Sequence, residues 1–434
     1  MILGAVPISR VLAATGAGYF GAILYLVITK APLGSNGFFA AAAIAAAAYV
    51  LLLARVWNQG TGVDRRLLLM AFAFAVAFRV PPAVAPVGSD SDMVRYLWDG
   101  RVQRFGYNPY SVLPADPALA HTHTEDTARM PSRRDRTPYP PAAQLFFRLV
   151  VTISDSKLAM KLALVFCDLL TMFVLWRWLQ ITNRPEWLTL AYAWNPLVVL
   201  EVSHSGHIDA LGALWIVTAA FWLTRRRTLL ASLAFVLAIA TKLLPVVLAP
   251  LFLGRVRKRD AFVGFLLLIG LYLPFVTGAA LPLGAVPNVV DRVRFNGPAF
   301  ATIAALTFPR AAAACALLLG LSAAVWARWR LTEGDPAAWA WPMAIALACA
   351  PVIYPWYLLY LTPFLFSVTT LPLLVWSMSA LSVYEVWDRS RRGGRWVTPV
   401  AVMMFEFSVP ILTALAIRPW SGRRREAGAD EVAE

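Results

Sequence analysis

Residues 37–56 of the chain read GFFAAAAIAAAAYVLLLARV, and this stretch decides the fold class. Its only charged residue is Arg55, which lies next to its end. A helix of about 20 apolar residues spans the ~30 Å hydrocarbon core of a bilayer. The stretch has this length and composition, so it predicts a membrane-spanning helix.

Similar apolar segments recur along the whole chain. Hydrophobic residues make up 59% of its 434 residues and charged residues only 15%, against about 25% in an ordinary soluble domain. This excludes a soluble enzyme, a disordered chain and a nucleic-acid-binding domain. We predict one all-α polytopic membrane domain, 1–434, with about 12–14 transmembrane helices. The predicted spans are 9–29, 37–56, 66–86, 158–180, 186–202, 208–224, 228–240, 243–254, 260–277, 309–328, 337–352, 355–368, 370–386 and 395–418.

The basic residues predict the topology. The formal net charge is +15, and its excess lies in short clusters such as 225–227 and 255–259. Because such clusters concentrate on the cytoplasmic side, we expect a multi-pass plasma-membrane protein with both termini inside and a cytoplasmic tail at 419–434. The cluster at 389–395 would then face outside, a conflict that the loss of one helix between 355 and 386 would remove.

The longest polar stretch lies in the first large extracytoplasmic loop, which we place at 87–157. Residues 91–104 and 142–153 have the spacing of amphipathic helices, and we expect both on the membrane surface. The histidines, the segment 278–308 and the run 354–357 also map to the outer face. The polar side chains therefore converge on one side of the membrane.

Two carboxylates, Asp90 and Asp92, lie two residues apart at the start of the first amphipathic helix. The dipole of a helix favours ionised acids at its N-terminus. An ionised carboxylate there is suited to act as a general base towards an incoming hydroxyl. Simple helix capping is the alternative interpretation.

Lys242 lies between two apolar runs that are too short to form two full spans. A lysine that faces lipid at mid-bilayer costs roughly 2.5–3.5 kcal/mol. We therefore expect Lys242 near the turn of a broken helix pair, facing a polar cavity and a phosphate. Snorkelling or pairing with Asp168 are the alternatives, and Asp168 itself is either an inter-helix hydrogen-bonding group or a relay group.

Glycosyl transfer is one reaction that polar side chains on the outer face could serve, and on that face it has distinct requirements. Nucleotide-activated sugars are absent there, so the donor must be a lipid-phosphate sugar. The reaction needs a carboxylate base, cations for the departing phosphate and aromatic or polar contacts to the sugar. The candidate phosphate ligands are Arg95, His207, Lys242, Arg292 and Arg294. The candidate sugar or acceptor contacts are Tyr139, Asp209, Tyr354, Trp356 and Tyr357.

A metal site is a weaker possibility in the same region. His204, His207 and Asp209 are potential zinc ligands, but zinc needs three ligands in good geometry. Helical spacing points these three only partly together. We therefore expect no metal.

An ordered set of motifs resembles the bacterial polytopic glycosyltransferases of the GT-C fold, most closely the polyprenyl-phosphate-mannose-dependent mannosyltransferases. The resemblance covers roughly 85–365. The motifs are SDSDMVRYLWDGR at 89–101, GYNPY at 106–110, YPPAAQ at 139–144, WNPL at 194–197, GHIDA at 206–210, KLLP at 242–245 and YPWY at 354–357.

The resemblance implies a hexosyltransferase with a catalytic aspartate in the first outer loop, the position of Asp90 and Asp92. It implies an inverting transfer of a sugar, with mannose expected in this group, from a polyprenyl-phosphate donor to a cell-envelope glycan or glycolipid. No cofactor is implied, since the lipid-phosphate sugar is a substrate. Similar sequences often have His where this chain has Tyr354.

Two other classes remain as alternatives. Broken helices and the intramembrane residues Lys242 and Asp168 are also typical of secondary transporters, although the chain shows no repeated halves. A lipid-binding membrane protein without catalytic activity is the other alternative. In all three cases membrane lipid is a partner and nucleic acid is not.

Overall fold

The structure is a computed structural model that describes residues 6–62, 64–85, 91–277 and 282–430. Within these ranges the chain forms helices and turns without a β-strand, and an isolated parallel bridge joins Phe295 to Val352. Six of the helices are long and apolar enough to cross a membrane. The predicted all-α polytopic membrane fold is confirmed.

The α-helices of seven residues or more are numbered in chain order. They are α1 Ile8–Thr29, α2 Asn36–Val56, α3 Arg65–Val84, α4 Ser91–Arg104, α5 Pro141–Ile153, α6 Lys157–Ile181, α7 Asp209–Thr224, α8 Thr228–Thr241, α9 Lys258–Tyr272, α10 Val286–Arg292, α11 Pro298–Leu306, α12 Pro309–Arg330, α13 Pro336–Ala348, α14 Leu371–Ser379, α15 Glu385–Arg391 and α16 Val400–Asp430.

Single α-helical turns and segments of 3₁₀ and π-helix connect these helices. Single α-helical turns lie at Glu125–Ala128, Leu190–Ala193 and Pro196–Val198, and a π-helical turn lies at Val199–Ser205. The 3₁₀ segments are Pro117–Thr122, Glu186–Thr189, Leu244–Phe252, Leu273–Phe275, Pro355–Tyr360, Thr362–Phe364, Val368–Thr370 and Ala380–Tyr384.

The long apolar helices match six of the predicted spans. They are α1, α2, α3, α6, α12 and the Val400–Ile417 part of α16. Helix α16 continues to Asp430, past the predicted start of the tail at 419.

The other predicted spans are short or interrupted helices. Helices α7 and α8 have 16 and 14 residues, and the 3₁₀ segment after Lys242 has nine. Pro245 and Pro250 lie in that segment, and proline interrupts α-helical hydrogen bonding because it lacks a backbone N–H. Irregular backbone is tolerated at membrane depth where protein buries it. The number of membrane crossings in this part of the bundle therefore cannot be read from helix length alone.

The arginine cluster at 389–395 lies at the same end of the bundle as the α1–α2 connection. The Arg391 guanidinium donates to the carbonyl of Leu33 at 2.6 Å. Next to it Gly34 has a φ of +79°, and a Cβ there would lie 1.9 Å from the Tyr384 carbonyl oxygen. This close approach requires glycine. The charge-based topology predicts the N-terminus inside and therefore the α1–α2 connection outside. The arginine cluster lies beside that connection, so its conflict with the charge-based topology persists.

Helices α4 and α5 form where the sequence predicts them, and α4 is buried on both sides. Its polar side is buried, with Arg95 3% exposed and Asp99 fully buried. Asp99 accepts hydrogen bonds from Arg95 at 2.7 Å, Thr137 at 2.6 Å and Gln144 at 2.9 Å. The polar side of α4 is therefore covered by the rest of the loop and does not face water, and the expected location of both helices at the membrane surface stays a prediction.

A buried ion pair joins α3 to α6. Arg79 donates to both carboxylate oxygens of Asp168, and Tyr192 donates to the same carboxylate at 2.6 Å. Arg79 also donates to the Ala193 carbonyl at 2.9 Å. Asp168 therefore links helices and does not pair with Lys242.

Replacing Asp168 by asparagine is expected to lower the free energy of unfolding by about 3–5 kcal/mol, because it leaves the Arg79 charge buried without a counter-ion. The measurement is the thermal unfolding midpoint of the detergent-solubilised protein. The double variant Arg79→Met with Asp168→Asn removes both charges and is expected to recover most of the loss. An unchanged midpoint for Asp168→Asn alone would contradict the assignment.

Candidate active site

A cavity of about 340 Å³ lies where α4, α7 and α8 meet the chain around residues 350–360. Six of the candidate residues from the sequence line it together. They are Asp92, Tyr139, Asp209, Lys242, Tyr354 and Tyr357. Apolar side chains from α10 and from the segment after Lys242 also line it. These are Val286, Val289, Val290, Leu243 and Leu244.

Asp92 lies in the first turn of α4 and faces this cavity. Its side chain is 32% exposed, and one carboxylate oxygen lies 4.0 Å from Nδ1 of His207. Its partner in the acid pair, Asp90, lies outside the residues that the structure describes. The cavity therefore provides a geometry for Asp92 but does not decide between the two acids.

Lys242 follows the last residue of α8 with an extended backbone, φ −159°. Its ammonium donates to Oδ1 of Asp209 at 2.6 Å, and Asp209 is the first residue of α7. The same nitrogen lies 3.8 Å from the centre of the Tyr357 ring, a cation–π contact. Lys242 thus lies at the turn of a short helix pair and lines the cavity next to Asp209.

His207 lies next to Asp92 on the side away from the cavity and is fully buried. Its Nε2 lies 3.3 Å from the Glu201 carboxylate, which also accepts from the Tyr384 hydroxyl at 2.7 Å. Asp92, His207 and Glu201 therefore form a line of titratable groups that begins at the cavity. His207 does not line the cavity, where sequence reasoning expected a phosphate ligand.

Glu201 was missed by the sequence analysis. It lies in the π-helical turn Val199–Ser205 and is fully buried. The available signal was its charge inside an apolar run, because an acid at membrane depth is expensive and is usually functional or paired.

A stack of rings fixes the position of His207. The His207 and Trp356 ring centres lie 4.0 Å apart at an angle of 8°. The Trp356 and Tyr354 centres lie 4.3 Å apart at 7°, and Phe295 stacks on Tyr354 at 4.5 Å. Trp356 is only 3% exposed, so it holds His207 and does not line the cavity.

Tyr139 is the aromatic residue of the first loop that lines the cavity. Burial, and then the charge of Asp92, raise the pKa of Tyr139 well above its ordinary value. Its phenol therefore stays neutral at physiological pH.

Three predicted phosphate ligands do not reach the cavity. Arg95 is committed to Asp99 and to the carbonyl of Asp135, at 2.7 and 2.9 Å. Arg292 and Arg294 are exposed at the end of α10, and Arg294 donates to carbonyls of its own segment. Of the predicted cations, the structure brings only Lys242 to the cavity wall.

Metal ligands are not assembled in the described ranges. No three His, Cys, Asp or Glu side chains gather there as a metal site requires. His123, a histidine of the loop between α4 and α5, lies within hydrogen-bond distance of Thr127 and the Pro114 carbonyl, and burial lowers its pKa.

Comparison with known proteins identifies a family. Residues 5–257 match the family model described as alpha-(1->6)-mannopyranosyltransferase, N-terminal domain. No curated protein and no solved structure matches the chain significantly.

Proposed function

The chain belongs to the alpha-(1->6)-mannopyranosyltransferase family, and from this premise we propose that it transfers mannose from a polyprenyl-phosphate donor to a cell-envelope glycan or glycolipid. The observation that carries the proposal is the shared cavity of Asp92, Asp209 and Lys242. The family confirms the resemblance seen in the motifs and favours a membrane mannosyltransferase over a transporter or a lipid-binding protein.

Asp92 is the proposed general base. An acceptor hydroxyl within reach of its carboxylate gives up its proton as the oxygen attacks the anomeric carbon of the donor. The new C–O bond forms while the bond from that carbon to the phosphate oxygen breaks, and the phosphate leaves with the electron pair. A single displacement of this kind inverts the anomeric configuration. Asp90 remains the alternative base, since it lies two residues earlier.

Lys242 is the proposed ligand of the departing phosphate. A fixed cation close to the developing charge is one of the larger contributions to catalysis. Its ammonium has three N–H donors, of which one is held by Asp209. The apolar walls from α10 and from Leu243 and Leu244 suit the first isoprene units of the lipid.

Glu201 and His207 are proposed to position the base. With a carboxylate on each side, His207 links Asp92 to Glu201, and Tyr384 fixes Glu201 by hydrogen bonds at 2.7 and 2.8 Å. This replaces the role of phosphate ligand that the sequence suggested for His207.

Replacing Glu201 by glutamine is expected to lower kcat about tenfold or more, because a hydrogen bond to a charged group is worth about 1.5–3 kcal/mol and 1.36 kcal/mol is about tenfold in rate. Without the Glu201 charge, His207 supports the ionised form of Asp92 less well. The acidic limb of the pH–rate profile should therefore move to higher pH. A fall in kcat with an unmoved profile would indicate a merely structural role.

The donor is tested with the purified full-length protein in detergent. Radiolabelled polyprenyl-phosphate-mannose is supplied with cell-envelope glycan and glycolipid acceptors, and a nucleotide-activated mannose serves as the parallel donor. Transfer from the lipid donor alone is expected, with an inverted anomeric configuration in the product. Folded protein that transfers only from the nucleotide donor would overturn the proposal.

Sidedness and metal dependence are tested in the same assay. We propose that the site faces the extracytoplasmic side of the plasma membrane and that no metal or cofactor is needed. In sealed vesicles of known orientation, an impermeant acceptor should react only from that side. Treatment with a chelator should leave the rate unchanged, and a rate restored by added divalent cation would contradict metal independence.

A further inference from the structure

Two residues that line the cavity each have a buried polar atom without a hydrogen-bond partner among the described residues. The atoms are Oδ2 of Asp209 and the hydroxyl of Tyr360. The Asp209 side chain is 1% exposed and Tyr360 is fully buried. Buried polar atoms are almost always hydrogen-bonded in native proteins. Two such atoms on residues that line one cavity therefore indicate a ligand that supplies the missing hydrogen bonds.

Gly212 brings the Tyr360 hydroxyl close to α7. It lies three residues after Asp209 on α7, and residues at this spacing share one helix face. A Cβ at Gly212 would lie 1.9 Å from the Tyr360 hydroxyl oxygen. Glycine inside a helix costs free energy relative to alanine, and here it leaves the space that the hydroxyl occupies. The Tyr360 hydroxyl therefore lies against the first turn of α7, whose first residue is Asp209.

The hydrogen-bonding capacity of Asp209 Oδ2 and the Tyr360 hydroxyl indicates which class of ligand they bind. Lys242 donates to Oδ1 of Asp209 at 2.6 Å, so the carboxylate is fixed and Oδ2 is left as an acceptor. The Tyr360 hydroxyl both donates and accepts. A carboxylate oxygen repels a phosphate, whereas a sugar hydroxyl can donate to Oδ2 and exchange a hydrogen bond with Tyr360. The ligand class is therefore a neutral polyol.

We propose that Asp209 Oδ2 and Tyr360 recognise the 2-hydroxyl of the transferred mannose. This inference rests on the proposed function, in which the phosphate on the anomeric carbon lies at Lys242. One carboxylate then contacts the phosphate-binding ammonium through one oxygen and the sugar through the other. The hydroxyl it reaches belongs to a carbon next to the anomeric carbon. That carbon is C2, since the other neighbour is the ring oxygen, and C2 distinguishes mannose from glucose.

The test is Tyr360→Phe, which removes a single oxygen atom. The donors are polyprenyl phosphates of mannose, of glucose as its C2 epimer, and of the 2-deoxy sugar. For the wild type, kcat/KM should be highest for mannose. In Tyr360→Phe we expect kcat/KM for mannose to fall about 10- to 100-fold while the value for the 2-deoxy donor is nearly unchanged. Discrimination at C2 should shrink by the same factor.

Tyr19→Phe is the matched control, since its hydroxyl is buried on α1 and also lacks a partner among the described residues. It should leave all three kcat/KM values unchanged. An equal loss with every donor, or no loss with mannose, in folded Tyr360→Phe protein would overturn the subsite. Failure of the wild type to use any lipid-phosphate mannose would instead overturn the proposed function.

Discussion

Replacing Asp92 by asparagine is expected to lower kcat for mannose transfer by about 10²–10⁴-fold, the usual contribution of a general base. Asparagine has nearly the same shape and also favours a helix N-terminus, so α4 should form unchanged. Only the capacity to take a proton is lost. Single-turnover transfer in detergent, with thermal unfolding recorded in parallel, measures the effect.

Asp90→Asn is the matched control for this variant, because it removes the same charge two residues earlier on the chain. We expect it to retain most of the activity. If Asp90→Asn abolished transfer while Asp92→Asn remained active, the base would be Asp90 and the assignment to Asp92 would fail. Both acids lie in the motif that resembles the mannosyltransferases, so only the pair of variants decides between them.

Replacing Lys242 by methionine is expected to lower transfer by about 10²–10³-fold, the scale found when one stabilising donor is removed from a developing charge. Methionine keeps an unbranched side chain, one atom shorter, and loses the charge, so the leaving phosphate is no longer neutralised. The rate should not be restored by saturating donor. Initial rates with polyprenyl-phosphate-mannose over a range of concentrations measure this.

The stability of this variant needs its own control, since Lys242→Met leaves the buried Asp209 carboxylate without its partner. The double variant Lys242→Met with Asp209→Asn removes the stranded charge. It should recover the thermal unfolding midpoint but not the activity. Near-normal transfer by folded Lys242→Met protein would exclude Lys242 as the phosphate ligand.

Much of the fold follows from local sequence. An apolar run of about 20 residues has few alternatives to a membrane-spanning helix, so α1, α2, α3 and α6 were predictable. The interrupted region between Glu186 and Phe252 was predictable only as a set of short runs. Whether such runs become α, 3₁₀ or π turns depends on prolines and on the protein that buries them.

The site was predictable in part, for a physical reason. Charged residues at the ends of apolar segments on one side of a bundle are near each other, which brings Asp92, Asp209 and Lys242 to one cavity. Sequence does not show which charges neutralise one another. Arg95 forms an ion pair with Asp99, four residues later on the same helix, and so does not reach the cavity.

Two residues that the sequence analysis missed depend on long-range contacts. Glu201 is held by Tyr384, 183 positions away in the chain. Tyr360 reaches the cavity because Gly212 on another element leaves room for it. Neither pairing leaves a periodic pattern or a motif at either position.

The shortness of α8 has a consequence for the surrounding lipid. Its 14 residues rise about 21 Å, whereas the hydrocarbon core is about 30 Å thick. Leu229, Leu230 and Leu243 are exposed on this helix and the turn that follows it. A bilayer adapts to a hydrophobic segment shorter than its core by thinning locally. We therefore expect the rate of transfer in lipid vesicles to depend on acyl-chain length.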